Sequence, residues 1–397
     1  MSEGNKREAL IDDRYLSEFA YFKDRIYFDC STMGMPPERS IRVGESFLRN
    51  FAERLGEHDS SEDPRQKGRE LIASLIGADP DEIYFTKNTT EGNNVLPKGY
   101  PFKAGDEIIL GNADFAAVWL PYTRLQQKGI KLVWVNNENG CFPAEEYIAK
   151  ITDKTRAIAI SHAQSSSGYV TDLEKLGTVC REKGILLAVD GIQATGRMPI
   201  DVHQMKVDLY ASGSFKGMMG VMGEGFCYIR KELMEQVEPA VLSGNIDYEG
   251  LDFRPGFTEF PVPNYAHGPR RMASGTDNTY GLAVMSESVK MLLEIGQDRI
   301  AERIRELEVY YRNQLKEKQI PVKMLGSDDP STWGGSVSFV LDPEKREPLK
   351  QALAAANIHA AARSYFRVSF HFYNTEEEID RLIRVLERVL DISNKEL

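Results

Sequence analysis

At 397 residues, with 42% hydrophobic and 27% charged positions, the chain is long enough for one large domain plus a smaller one and has the make-up of an ordinary globular protein. Its formal net charge of −11 argues against a nucleic-acid or anionic-membrane surface, either of which calls for a basic patch. No apolar run reaches the roughly 18–20 residues of a membrane span, and the polar N-terminus MSEGNKREALIDDRY has no signal-peptide h-region. Cys30, Cys141, Cys180 and Cys227 are far apart and unpatterned, so the expectation is reduced thiols in a cytoplasmic protein. The six histidines form no HExxH motif or close pair, which argues against a metal centre.

In chain order, EIYFT (82–86), EIILG (107–111), KLVWV (131–135), RAIAISH (156–162), ILLAVD (185–190) and DLYAS (208–212) read as buried strands. They are continuous apolar runs, as a parallel sheet covered on both faces demands. Helix-like segments such as AAVWLPYTRLQQKG and DLEKLGTVCREKG lie between them, the latter ending on a glycine suited to a C-cap. EGFCYIRKEL (224–233) adds a strand and a helix. The alternation predicts an α/β domain with a doubly wound, mostly parallel sheet and right-handed crossovers. Residues 234–272, rich in Pro, Gly and aromatics, read as a long irregular connection of the kind that carries function. From Asn278 one long helical stretch leads to strands VKML, GSVSFVL, HAAA and FRVSFHF. The helix TEEEIDRLIRVLERVL closes the pattern, with Thr375 and Glu378 as its capping box. The expected division is a large domain over 25–280 and a smaller C-terminal α+β domain over 281–397, joined by residues 1–24.

Chemistry concentrates at the strand ends. VDGIQATG (189–196) offers Asp190 and Gln193, and SGSFKGMMG offers Lys216 in a small-residue loop. Either half alone reads as a common strand end or a solvated lysine. Together they suit pyridoxal phosphate, whose aldehyde a lysine binds as a Schiff base and whose pyridine nitrogen a carboxylate keeps protonated. TKNTTEGNN (86–94) follows a strand and opens a helix, where free N–H groups and the hydroxyls of Thr89 and Thr90 fit a phosphate. An N-cap role for either threonine is an equally good and compatible reading. Phe115, just past EIILG, is placed to stack on the ring, whereas Trp119 one turn on reads as core. Ser165, Ser166 and Ser167 in SHAQSSSG are hydroxyl contacts or simply a turn.

With ASGTDN and RVSFHFYNTEEEID following in order, the chain resembles, from about Ile26 to its end, the class V aminotransferase family of fold-type I pyridoxal phosphate-dependent enzymes. That family includes cysteine desulfurases, selenocysteine lyases and isopenicillin N epimerase-like proteins. The resemblance implies that Lys216 forms the Schiff base and moves protons, Asp190 pairs with the pyridinium, and Gln193 bonds the phenolic oxygen. It places Phe115 on the ring and Thr89 and Thr90 on the phosphate. It further implies a homodimer in which Thr276 reaches the neighbouring subunit's phosphate, and an Arg367 that clamps the substrate α-carboxylate as a bidentate pair.

The departures bear on the reaction. Desulfurases carry a nucleophilic cysteine shortly before the carboxylate-binding arginine, and NIHAAARSYFR (357–367) has none. The family's stacking His is Phe115, the Asn of SHxSN is Ser165, and the Pro of GTPN is Asp277. The His before the lysine is Phe215, which leaves the phosphate contact there to Ser214 or Ser212. Cys30, on the loop the family folds over its substrate, reads as a buried thiol. After loss of the Cα proton to the freed Lys216 amine, three outcomes remain: Cβ elimination of a C–S lyase type, amino transfer, or epimerisation. The desulfurase-like and epimerase-like motifs favour elimination. An epimerase needs a second acid/base opposite Lys216, and the sequence offers none; a cofactor-free scaffold is disfavoured because both Lys216 and Asp190 are present.

Overall fold

The structure, a computed structural model, describes residues 10–54, 64–137, 139–242, 246 and 264–390. After a short strand β1 (Ile26–Tyr27) come β2 (Ile83–Thr86), β3 (Glu107–Gly111), β4 (Lys131–Val135), β5 (Thr155–Ser161), β6 (Leu186–Asp190), β7 (Leu209–Gly213) and β8 (Gly225–Ile229). Strands β2 to β8 form one seven-stranded sheet in the order β2-β8-β7-β6-β5-β3-β4. Every neighbour pair is parallel except those of β8, which runs antiparallel to both β2 and β7. Strands β3, β6, β7 and β8 are buried along their whole length because helices cover both faces, which is why they read as unbroken apolar runs. The parallel strands bring their carboxyl ends to one edge, so the loops carrying Phe115, Ser165, Asp190 and Lys216 share that edge.

The C-terminal part builds a four-stranded antiparallel sheet in the order β12-β13-β10-β9, from β9 (Met324–Leu325), β10 (Ser336–Val340), β12 (Ala361–Ala362) and β13 (Tyr365–Ser369). Strand β11 (Ile358–His359) pairs in parallel with β1. A continuous apolar cluster joins Tyr15, Phe19 and Phe28 from the N-terminal segment to Phe370 and Phe372, and reaches Ile109 and Val189 in the large sheet. Phe19 meets Phe372 edge-on at 5.7 Å between centroids.

The single helical stretch expected after Asn278 is two helices, Thr279–Ile295 and Gln297–Glu317. Gly296 separates them with φ 95° and ψ 127°, outside the helical region and open to a residue without Cβ. The capping box of the last helix forms: Thr375 N–H donates to Glu378 Oε2 at 3.1 Å and Glu378 N–H to Thr375 Oγ1 at 3.3 Å. Gly184, at φ 66°, closes the helix Leu173–Lys183 in the left-handed region. Of the irregular connection, residues 243–245 and 247–263 lie outside the described residues. Among the described residues no helix is long and apolar enough to cross a membrane, and no group of three His, Cys, Asp or Glu side chains is placed to hold a metal.

Candidate active site

Asp190 closes β6 with its side chain buried. Its Oδ1 accepts from the Ile192 N–H at 3.1 Å and its Oδ2 from Asn93 Nδ2 at 2.8 Å. Burial pushes its carboxyl above the ordinary value, while those two hydrogen bonds and the charge of Lys216 pull the other way. A buried carboxylate held by neutral donors is an acceptor for a cationic ring N–H, which is what the pyridinium of pyridoxal phosphate presents. In this respect the residues fit that group.

Lys216 follows β7 in a largely buried position, and burial brings its amine down to about 8, against the attraction of Asp190 and with the repulsion of Arg367. A lysine so shifted has a substantial neutral fraction near physiological pH, the form that attacks an aldehyde. The backbone around it is held tightly. Gly34 N–H donates to the Phe215 carbonyl at 2.7 Å, and a Cβ on Gly34 would lie 1.9 Å from the Lys216 carbonyl oxygen, so only glycine fits there. On the other side His371 is 3.0 Å from the Gly217 carbonyl through Nε2, while its Nδ1 accepts from the Phe372 N–H at 3.0 Å. Those two bonds assign the Nε2–H tautomer, and burial drives the imidazole down to about 3, so it stays neutral.

Thr89 starts the short helix Thr89–Asn93, and its Oγ1 accepts from the Gly213 N–H at 2.8 Å, tying the helix to the strand that leads to Lys216. The cap is Asn88 rather than either threonine: its Oδ1 accepts from the Glu91 N–H at 3.0 Å. Thr90 is exposed on the next position. Phe115 begins the helix Ala116–Thr123 and is 60% exposed, an open aromatic face at the carboxyl end of β3. Gln193 is buried and spends one amide hydrogen on the Ser31 carbonyl at 3.0 Å, leaving the other free.

Two serines and a threonine complete the expected set. Ser214 is fully buried and its hydroxyl donates to the Val221 carbonyl at 2.7 Å, so it serves the turn that carries Lys216. Ser212 is likewise buried and bonds the Gly213 carbonyl at 3.2 Å. Thr276 is exposed in a separate cleft of about 480 Å³ lined by Arg65, Arg69, His267 and Arg270, whose described lining includes neither Lys216 nor Asp190. Beside it Asp277 pairs with Arg65 at 2.8 Å.

Arg367, on β13, is buried with its guanidinium turned to the protein's own acceptors. Nη1 donates to the Ser165 carbonyl at 2.6 Å, and Nη2 donates to Thr32 Oγ1 at 2.7 Å and Asp29 Oδ1 at 3.2 Å. Its Nε is buried without a partner, an orphaned donor. Arg197 is a second buried cation that sequence reasoning passed over. It bonds the Gln193 and Gly335 carbonyls and the hydroxyls of Ser31 and Ser336, with its own Nε unpartnered. Cys30 is 1% exposed, and burial pushes its thiol up to about 11 even though Arg197, Lys216 and Arg367 pull it down. Asn93 was also missed, although its i, i+4 spacing from Thr89 puts both side chains on one helix face.

The family model described as Aminotransferase class-V matches residues 26–382. A Pyrococcus abyssi protein named "Probable cysteine desulfurase" is 29% identical over 388 residues, covering 92% of this chain and 94% of that protein. One of the same name from Methanothermobacter thermautotrophicus is 26% identical over 395 residues, with 92% and 95% covered. Among solved structures, the apo cysteine desulfurase of Thermococcus onnurineus NA1 has the same fold, with a TM-score of 0.85 at 24% identity over 96% of this chain and 98% of that one.

Proposed function

Because the chain belongs to the class-V aminotransferase family, a family of pyridoxal phosphate enzymes, we propose that it acts on an α-amino acid and cleaves a carbon–sulfur bond at Cβ, without a persulfide-forming cysteine. The observation that carries the finer reading is the segment before Arg367. Strands β12 and β13 make a tight hairpin through Arg363 and Ser364, with Ala361 facing Arg367, and residues 357–367 contain no cysteine. The relatives named as cysteine desulfurases support chemistry at a Cβ–sulfur bond.

When bound, pyridoxal phosphate supplies an electron-withdrawing ring that accepts negative charge from the substrate Cα. Lys216 would anchor it through Nζ and, when its amine is free, would take the α-proton. Asp190, held by Asn93, would keep a proton on the ring nitrogen. Phe115 would cover the ring, Gln193 would offer it the remaining amide hydrogen, and Thr89 and Thr90 would hold the phosphate. Arg367 orients the substrate carboxylate. The sulfur leaves Cβ with the bonding pair, and hydrolysis of the remaining three-carbon unit yields pyruvate and ammonia.

The exposed Thr276, in a cleft whose described lining includes neither Lys216 nor Asp190, supports a homodimer in which it serves the partner's phosphate. The four unpaired cysteines suit a reducing, cytoplasmic setting. The test is to incubate the cofactor-loaded protein with S-substituted cysteines. Equal release of thiol, pyruvate and ammonia supports the proposal. Build-up of the amine form of the cofactor with the C–S bond intact means transamination instead.

A further inference from the structure

We infer that Asp29 sets which anions the Arg367 site accepts, by occupying the guanidinium nitrogen that every bidentate carboxylate must use. This rests on the reading of Arg367 as the residue that binds the substrate carboxylate.

A guanidinium has two forks, Nη1 with Nη2 and Nε with Nη2, and both contain Nη2. Here both hydrogens of Nη2 are taken, one by Asp29 Oδ1 at 3.2 Å and one by Thr32 Oγ1 at 2.7 Å. Neither fork is open. Nε, by contrast, is buried and unpartnered, so the Nε/Nη2 fork is half available and half blocked. Asp29 and Arg367 are 9% and 6% exposed, so solvent and salt screen the pair little.

A substrate carboxylate completes the Nε/Nη2 fork by taking the place of Asp29 on Nη2. An anion able to make only one contact gains Nε without competing with Asp29 for Nη2. The exchange falls to the Asp29 side chain, because the loop backbone is fixed: Ser31 N–H donates to Ser369 Oγ at 2.8 Å and Gly34 N–H to the Phe215 carbonyl at 2.7 Å. Asp29 thereby raises the threshold for occupancy and favours ligands with two coplanar oxygens over single-point anions.

The experiment measures binding of propionate, which has the carboxylate and no amine, and of chloride, a single-point anion, to the full cofactor-loaded chain. Wild type is compared with Asp29→Asn and Arg367→Ala, by calorimetry and by competition against turnover. Asn keeps the shape of Asp29 and removes its charge, so propionate is expected to bind roughly tenfold more tightly while chloride changes little, with KM falling and kcat held. Asp29→Ser, which removes the charge and draws the acceptor back from Nη2, gives the same readout should the Asn variant not fold. Propionate binding that is unchanged or weaker in the Asp29 variants, with Arg367→Ala still impairing it, overturns the role of Asp29 alone. Equal tightening for chloride reduces the effect to bulk charge and also overturns it. If Arg367→Ala leaves propionate binding untouched, the carboxylate reading of Arg367 itself falls.

Discussion

The side-chain amide of Asn93 donates to Asp190 Oδ2 across 2.8 Å, and so ties the carboxylate that ends β6 to the helix Thr89–Asn93. One turn earlier on the same helix, Thr89 Oγ1 accepts from the Gly213 N–H at the end of β7. A five-residue helix therefore spans the two strand ends that carry Asp190 and lead to Lys216. Its position, more than any single contact, keeps the acid and the amine in register.

Removing that amide leaves a buried carboxylate with one fewer donor. Asn93→Ala is expected to cost about 1–3 kcal/mol of stability, the usual penalty for a buried acceptor left short, and more for a charged one. It also removes one of the contacts that lower the Asp190 pKa, so the ionised form loses ground and pyridoxal phosphate binds more weakly. Urea unfolding and a cofactor titration on the same variant check both parts. Unchanged affinity together with lost stability would make Asn93 purely structural.

Lys216 gives a pH signature in the cofactor-free protein. Its amine comes down to about 8 through burial, and only the neutral form attacks an aldehyde. The rate of covalent capture of pyridoxal phosphate should rise with pH and level off just above 8, whereas an ordinary lysine would keep gaining up to about 10.4. Growth of the yellow band near ~410–430 nm reports the capture. Lys216→Ala should show no band that survives dialysis.

The sheet strands were legible because a strand buried on both faces leaves a mostly apolar run, and β3, β6, β7 and β8 are such strands. Lys216 and Asp190 were legible because charged residues at the ends of such runs are conspicuous. The surroundings of Arg367 were not. Asp29 and Thr32 meet it from more than 300 residues away, and no local period encodes a pairing of that span. The hydrogen bond of Ser214 was not legible for a related reason: its place beside Lys216 is visible in the chain, but its bond to the Val221 carbonyl depends on how the loop turns. Gly296 was visible, yet the helical period on both sides continued across it.

Two buried imidazoles make the fold acid-sensitive. Burial lowers His162 to about 4 and His371 to about 3, whereas in the unfolded chain each titrates near the ordinary imidazole value of about 6.5. Between those limits the unfolded state binds more protons than the folded one, so stability is lost as pH falls from about 6.5 towards 4. Each residue contributes a slope of up to about 1.4 kcal/mol per pH unit. Denaturant midpoints measured across that range should drop. His371→Gln should flatten the dependence while lowering stability at pH 7, because Gly217 and Phe372 lose their partner.

The close approach of Gly34 to Lys216 predicts a large effect from one methyl group. The Cβ of Gly34→Ala would fall 1.9 Å from the Lys216 carbonyl oxygen, a backbone atom that cannot step aside as a side chain would. The loop must shift, at about 1–3 kcal/mol for an overpacked site. Because that loop also bears Asp29 and Ser31, the partners of Arg367 and Gln193, turnover should fall further than stability alone explains. A variant with wild-type kcat/KM would show that the loop and the lysine segment move independently.

The proposed elimination needs no thiol, and Cys30 is the cysteine that could contest this. It lies on the N-terminal loop within the electrostatic reach of Lys216, Arg197 and Arg367. Yet its thiol is pushed up to about 11 by burial and is 1% exposed, so at neutral pH it is neither ionised nor reachable. A persulfide mechanism needs a thiolate that attacks the substrate sulfur, and removing it abolishes sulfur transfer. Cys30→Ala deletes only the sulfur from a packed site, at a cost to stability, so stability is measured alongside activity. Thiol, pyruvate and ammonia should then be released from an S-substituted cysteine at the wild-type rate. Loss of turnover with the fold intact would instead place the nucleophile on this loop, and the hairpin before Arg367 would no longer argue against a desulfurase.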